Sequence, residues 1–195
     1  MSQLRAAVVL TVLFTLLTGI AYPLAITAIG QAVFPFQANG SLAKRGGQVI
    51  GSELIGQNFK DDRYFHGRPS ATTAADPSDP VKSVDAPYNA ANSSGSNLAP
   101  SSKALLAAVE ARAKALGGGA QPADLVTASA SGLDPHLSPA GAMAQVARVA
   151  RARGLPEGEI GALVDRHIEG RALGVLGQPR VNVLALNLAL DALKP

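Results

Sequence analysis

The chain contains no cysteine, which removes disulfides, thiol catalysis and thiolate metal sites in one step and leaves stability to packing. Aromatic residues make up 4% of the 195 and charged residues 16%, with a net charge of only +3. Without a long basic run or an aromatic-interleaved basic patch, nucleic acid binding has little support. No lysine follows a glycine, which excludes the phosphate-binding GxxxxGK[ST] loop, and GxGxxG, HExxH and GxSxG are missing as well. His66, His136 and His167 stand far apart with no ligand at metal-like spacing, so they read as structural or surface histidines and no metal site is expected. Asp61-Asp62 and Asp134 are the remaining candidate bases, and adjacent carboxylates in a loop are more often solvated turn residues. No catalytic residue and no cofactor of the chain's own is expected.

What is present begins with a long uncharged run. The thirty-eight residues from Ala6 to Ala43 carry no charged side chain, and Ala6 to Gly30 is almost entirely apolar. At ~1.5 Å per helical residue those first twenty-five reach ~37 Å, enough to cross a hydrocarbon core of ~30 Å with some tilt. A cleaved signal peptide is the rival, but signal h-regions span ~7 to 15 residues. Ala7, Thr11, Thr15 and Gly19 recur at every fourth position and form a stripe suited to docking against other membrane helices. Pro23 predicts a kink near Gly19, because the ring crowds the carbonyl four residues earlier. Arg5 and the α-amine precede the span while Lys44 and Arg45 lie more than a dozen residues beyond it, which favours the tail on the outside.

Residues 1–36 therefore read as anchor and interface, and residues 37–195 as one soluble extracytoplasmic domain. Gly46 to Phe59, with Gln48-Val49-Ile50 and Leu54-Ile55 between glycines, is the best candidate for sheet. From Arg68 to Pro100 neither a 3.6 nor a 2.0 period shows, and composition alone reads as disordered. Ser101 or Ser102 can cap a helix running to about Leu116, and Pro122 can begin a short turn. Ser138-Pro139 opens a helix that Gly154 closes, with Met143, Val146, Val149 and Ala150 on one face. A further helix runs from about Glu157 to Ile168, burying Ile160, Leu163, Val164 and Ile168. The trio Arg148, Arg151 and Arg153 reads as solvated charge near a helix C-terminus. A short strand at Arg180 to Val183 leads into a last helix, since the run beyond has no β-branched residue. The fold class is α+β: one transmembrane helix, then one mainly helical domain with a small sheet.

Two polar segments are over-specified for a plain scaffold. Val126 to Pro139 reads VTASASGLDPHLSP, a combination that suits a nest for an anion or a partner's backbone. Its alternative is a loop whose hydroxyls and carboxylate satisfy their own turns and caps, and on the residues alone this has a slight edge. Tyr88 to Ser102, YNAANSSGSNLAPSS, is equally polar and lacks a catalytic pair.

These segments also carry a resemblance. LIGQNF (Leu54 to Phe59), YFHGRPSA (Tyr64 to Ala71), SSGSNLAP (Ser93 to Pro100), VTASASGLDPHLSP, QVARVARARGL (Gln145 to Leu155) and QPRVNVLALNLALDAL (Gln178 to Leu193) follow one another in order after the single span. The chain resembles the C subunits of the Kdp potassium-transporting P-type ATPases over nearly its whole length. Ala99 and Ala130 stand where that family often has glycine, which weakens any role needing a positive φ there.

The resemblance implies a non-catalytic subunit in the cell (inner) membrane that assembles and stabilises a high-affinity, ATP-driven potassium uptake complex. Its implied partners are a potassium-selective, channel-like A subunit, an ATP-hydrolysing B subunit and a small F subunit. It also implies an alternative, a catalytic chaperone that raises nucleotide affinity, with ATP reached through the complex. A glutamine after the Ser-Gly motif would then touch the adenine; by motif this is Gln145, preceded by Ser129, Ser131 and Gly132. A tail outside the membrane and direct contact with cytoplasmic ATP exclude one another. Asp76, Asp79 and Asp85 are weak candidates for guiding ions and read better as a solvated loop. A secreted binding protein survives only if the anchor is cleaved.

Overall fold

The computed structural model describes residues 2–193. The chain divides into two compact units, Met1–Ser52 and Glu53–Pro195. The first unit opens with α1 (Ser2–Leu16), a π-helical turn at Leu17–Ala21 and α2 (Tyr22–Val33). Together they give a helix from Gln3 to Val33, the one helix among the described residues long and apolar enough to cross a membrane. None of the most apolar stretch is buried within the chain. The expected disturbance from Pro23 takes the form of the π turn: the Tyr22 N–H bonds to the Leu17 carbonyl, five residues back. The wider turn makes room where a proline ring would otherwise press on the carbonyl of Gly19. Phe34 leaves the helical region (φ −130°, ψ 56°), and Pro35 starts the four-residue α3 (Pro35–Ala38).

A hairpin completes this unit. β1 (Leu42–Arg45) pairs antiparallel with β2 (Gln48–Ser52), Arg45 opposite Gln48. The two linking residues, Gly46 and Gly47, both take positive φ (58° and 84°), as the tightest hairpin turn demands. The sheet foreseen between Gly46 and Phe59 is thus realised only as far as Ser52. Its partner strand lies upstream, and Leu54 and Ile55 fall outside the named strands.

The second unit is built around helices and a three-stranded sheet. β3 (Thr73–Ala75) and β4 (Ser83–Asp85) form a small antiparallel hairpin inside the segment whose composition reads as disordered. α4 (Lys103–Ala115) begins at Ser102, whose side chain accepts from the Leu105 N–H. The short α5 (Ala123–Val126) follows Pro122. β5 (His136–Leu137) then leads into α6 (Pro139–Met143), capped by the Ser138 hydroxyl on the Gly141 N–H. The single helix expected from Ser138 to Gly154 is divided, because α7 (Val146–Arg153) starts afresh after Gln145. Gly154 ends it at φ 64°, the left-handed position that glycine adopts without penalty.

α8 (Glu157–Arg166) buries Ile160, Leu163 and Val164, while Ile168 belongs to β6 (Ile168–Glu169) instead. β7 (Arg180–Asn182) is the central strand: His136 faces Asn182 on one side, and Ile168 faces Val181 on the other. It passes directly into α9 (Val183–Leu193). Asn182 makes the switch by turning its Oδ1 to accept from the Ala185 N–H, an N-cap at the end of a strand. Phe65, Leu137, Val149, Ile160, Val164, Val181, Leu186 and Leu190 form the fully buried centre. α8 lies between α7 and α9, so the three helices and β7 close on this apolar cluster. The architecture is α+β, as expected.

Candidate functional site

The family motif with the most physical content is the loop after Asp62. Phe65 is fully buried, so its peptide groups must find partners inside the protein. They find Asn187 of α9: Phe65 N–H donates to Asn187 Oδ1 at 2.9 Å, and Asn187 Nδ2 donates to Phe65 O at 2.9 Å. The next residue is held the same way by Gln145, whose Oε1 accepts from His66 N–H at 2.9 Å and whose Nε2 donates to His66 O at 3.0 Å. Two side-chain amides thus act as a strand would, clamping consecutive residues of an irregular loop. Gln145 is 5% exposed and Asn187 2%.

Gln145 has nothing left to offer. Its Nε2 also donates to Gly141 O at 3.2 Å, and its Oε1 also accepts from Arg148 Nη2 at 2.7 Å, which uses both donors and both acceptor positions of the amide. Arg148 further donates to the carbonyls of Asp62 (2.7 Å) and Tyr64 (3.0 Å). Arg153 donates to Arg63 O at 2.7 Å, pairs with Asp191 at 2.8 Å, and lies 4.9 Å from the centroid of the Tyr64 ring. Only Arg151 of the basic trio is solvated. Arg148 and Arg153 correct the expectation, because a loop that ends in open carbonyls recruits guanidinium donors from the neighbouring helix.

A second layer fastens the long polar loop. Tyr88 takes φ 62°, and its hydroxyl donates to Arg68 O at 2.7 Å. Gly56 and Gly67 leave room for this ring; a Cβ on either would strike it. Burial, with the Asp134 charge second, pushes the Tyr88 phenol up to about 12. Ser70 Oγ donates to Gly132 O at 2.8 Å, and Thr72 Oγ1 donates to Ala86 O at 2.6 Å. The Ser131 carbonyl accepts from both Ser94 N–H and Ser93 Oγ at 3.0 Å. The two over-specified polar segments are therefore each other's packing partners. This is why a composition suited to disorder is ordered here: Ser70, Ser93 and Ser94 meet complementary backbone groups of the distant segment at Ser131 and Gly132.

The candidate nucleotide residues separate in this geometry. Ser129 Oγ accepts from Gly132 N–H at 2.9 Å and Ser131 Oγ from Leu133 N–H at 3.1 Å, the local turn satisfaction that was the alternative reading of the segment. Gly132 (φ 67°) packs against Thr72 and Ser94. Gln145 instead lies on the wall of a cleft of about 490 Å³. Its cationic lining is Lys60, Arg68, Arg112 and Arg148, and its apolar lining includes Phe59, Leu116 and Leu125; no carboxylate contributes to it. Arg112 Nη1 is held by Val126 O at 2.9 Å, and Arg68 by Asp134 at 3.0 Å. Burial, and after it the Arg148 cation, hold His66 below its usual pKa. Burial pushes Asp134 up, but hydrogen bonds from His136 and Arg68 outweigh it and leave the carboxyl below its usual range.

Among the described residues no group of three His, Asp or Glu side chains could hold a metal. Asp76 accepts from Ser78 and Asp79 pairs with Lys82, as in an ordinary solvated loop. The stripe of Ala7, Thr11, Thr15 and Gly19 is open along its length. Asn187, Arg148 and Arg153 are the residues that sequence reasoning missed. Their one local signal was polarity at helix positions otherwise facing the core.

The family whose signature describes the K+-transporting ATPase c chain, KdpC, matches residues 4–192. The chain belongs to the KdpC family. A relative from Rhodopseudomonas palustris strain BisB18 is 60% identical over 198 residues, covering all of both chains. One from Bradyrhizobium diazoefficiens is 58% identical over 193 residues, covering 97% of this chain and 96% of that one. Both relatives are named potassium-transporting ATPase KdpC subunit. The amide clamp and the Tyr88 layer are thus the framework on which this KdpC-type domain is built.

Proposed function

We propose that this chain is the accessory, non-catalytic subunit of an ATP-driven potassium uptake complex in the cell membrane. It joins the channel-like A subunit, the ATP-hydrolysing B subunit and the small F subunit through its transmembrane helix and its extracytoplasmic domain. The observation that carries this reading over nucleotide delivery is the saturated amide of Gln145. An amide with four hydrogen bonds inside its own domain has no group free for an adenine edge, and breaking them would unlatch the Tyr64–His66 loop. The open stripe on the anchor supports docking of other membrane helices. The test is co-purification: with tagged A subunit, recovery of the B subunit should fall at least about tenfold when this chain is omitted, a coupling of about 1.4 kcal/mol or more. Equal recovery would refute the assembly role.

A second reading, that the chain raises ATP affinity by direct contact, draws on the cation-lined cleft beside Gln145. The two readings separate in one comparison. Gln145→Ala and Asn187→Ala each unlatch one residue of the same loop, so an assembly subunit loses complex in both. A nucleotide-contacting subunit raises the KM for ATP in the first alone. Exposed Val81 replaced by cysteine in this cysteine-free chain reports the side of the membrane: labelling of intact cells by an impermeant thiol reagent places the cleft out of reach of cytoplasmic ATP.

A further inference from the structure

In the second unit, three large apolar side chains stand in solvent within four residues. Leu173, Val175 and Leu176 are 90%, 72% and 59% exposed, at the tip of the connection between β6 and β7. The tip is not loose chain. Ala172 and Leu176 exchange both backbone hydrogen bonds at 2.9 Å, Gly174 N–H bonds to Arg171 O, and Val175 N–H bonds to Ala172 O. Leu173 takes φ 53° and Gly174 φ 75°; the left-handed region is unfavourable for leucine. At 90% exposed, the Leu173 side chain buries almost nothing that would offset that backbone.

The base of the tip is cationic. Residues 166–180 carry Arg166, Arg171 and Arg180 and one carboxylate, Glu169. Arg171 is steadied by Gln178 at 2.9 Å and Arg180 by Glu169 at 2.9 Å. Location matters as well. Two residues after Arg180, Asn182 donates to the carbonyl of Glu53 at 2.8 Å, and Glu53 is where the chain enters the unit from the anchor side. Strand β7 is therefore tied to the residue at which the unit begins.

We propose that residues 171–178 form a membrane-insertion loop. Leu173, Val175 and Leu176 enter the interfacial layer of the bilayer that the chain's own helix spans, and Arg171 and Arg180 lie at headgroup depth against lipid phosphates. Apolar tips over basic flanks are the chemistry of peripheral membrane binding. A bilayer is the occupant that the chain carries with it: the helix Gln3–Val33 tethers the domain to lipid at an effective concentration on the order of millimolar. A loop with an intrinsic affinity of only that order is then inserted about half of the time.

The chain has no tryptophan, which makes the test direct. Leu173→Trp in the full-length chain is reconstituted in vesicles of phosphatidylethanolamine and phosphatidylglycerol, with and without bromine at shallow acyl positions. Half-time insertion predicts that brominated lipid lowers the emission about twofold. Val175→Trp, at a position without positive φ, should behave alike and guards against a local distortion by the first variant. Leu106→Trp, on the exposed side of α4, should keep its emission. Quenching at residues 173 and 175 no greater than at residue 106 overturns the proposal. So does a blue-shifted emission that bromine leaves untouched, which would put a protein surface over the tip. A chain that fails to float with vesicles removes the anchor and the loop together, whereas the accessory role is judged separately by co-purification.

Discussion

Asn187→Ala offers the sharpest test of the clamp. The side chain is almost fully buried, its two hydrogen bonds go to the N–H and C=O of fully buried Phe65, and no other bond to either group is seen among the described residues. Truncation leaves both peptide groups without a partner in an apolar cluster. At about 1 to 3 kcal/mol for each orphaned buried group, the loss is about 2 to 6 kcal/mol. In a unit of this size about 1 kcal/mol moves the melting temperature by roughly 2 to 4 °C, so a fall of roughly 4 to 24 °C is expected. The assay is urea unfolding of the full-length chain in nanodiscs followed by circular dichroism, with the slope checked for constancy. Asn187→Leu separates hydrogen bonding from packing, because leucine has a similar volume and still orphans Phe65. The reasoning predicts nearly equal losses. A leucine variant within about 0.5 kcal/mol of the parent would refute it and assign the site to packing alone.

Four further outcomes follow from the same geometry. Arg153→Met should cost about 2 to 4 kcal/mol in the same assay, since it takes the guanidinium from a largely buried Asp191, to which the Tyr64 hydroxyl still donates at 3.3 Å, and removes the donor to Arg63 O; a loss below about 1 kcal/mol would mean that water replaces the guanidinium. Gly95→Ala should destabilise by about 1 to 3 kcal/mol, because a Cβ there would come to 2.6 Å from the backbone oxygen of Ala130 and wedge the two polar segments apart; unchanged melting would contradict that packing. His66 has its pKa lowered from the ordinary 6.5 by burial and by Arg148, so the unfolded chain binds more protons in acid. Stability should therefore be lost as the pH falls below about 6.5 towards the folded value, and His66→Gln should flatten the urea midpoint over that window. Gly19→Leu adds bulk to the open stripe, where nothing within the chain meets a new side chain; it should lower recovery of the complex while membrane insertion is unchanged, and full recovery would remove the stripe from the interface.

Local signals carried the elements that are closed over a few residues. The apolar run from Ala6 to Gly30 marks a first helix long and apolar enough to cross a membrane, and Ser102, Ser138 and Gly154 mark helix ends because a cap acts on groups two or three positions away. The change from strand to helix was legible from the lack of β-branched residues and the strong helix formers beyond Val183, although Val183, expected to close the strand, opens the helix instead. The break at Gln145 was not. The Ser138–Gly154 run has continuous helical periodicity, and the side chain at the break is engaged with His66, 79 residues earlier.

The sequence by itself thus determined the long apolar helix, the caps, the helical faces and the family, all of which depend on neighbours along the chain or on motifs in order. Only the tertiary structure decided what the polar residues do. It turned Gln145 and Asn187 into a clamp, drew Arg148 and Arg153 from expected solvent onto open carbonyls, and folded residues 68–100 against 129–132. A polar side chain is compatible with water, a turn, a ligand or a distant peptide group at similar free energy, and the choice is made by whichever donor or acceptor the packed core brings within about 3 Å.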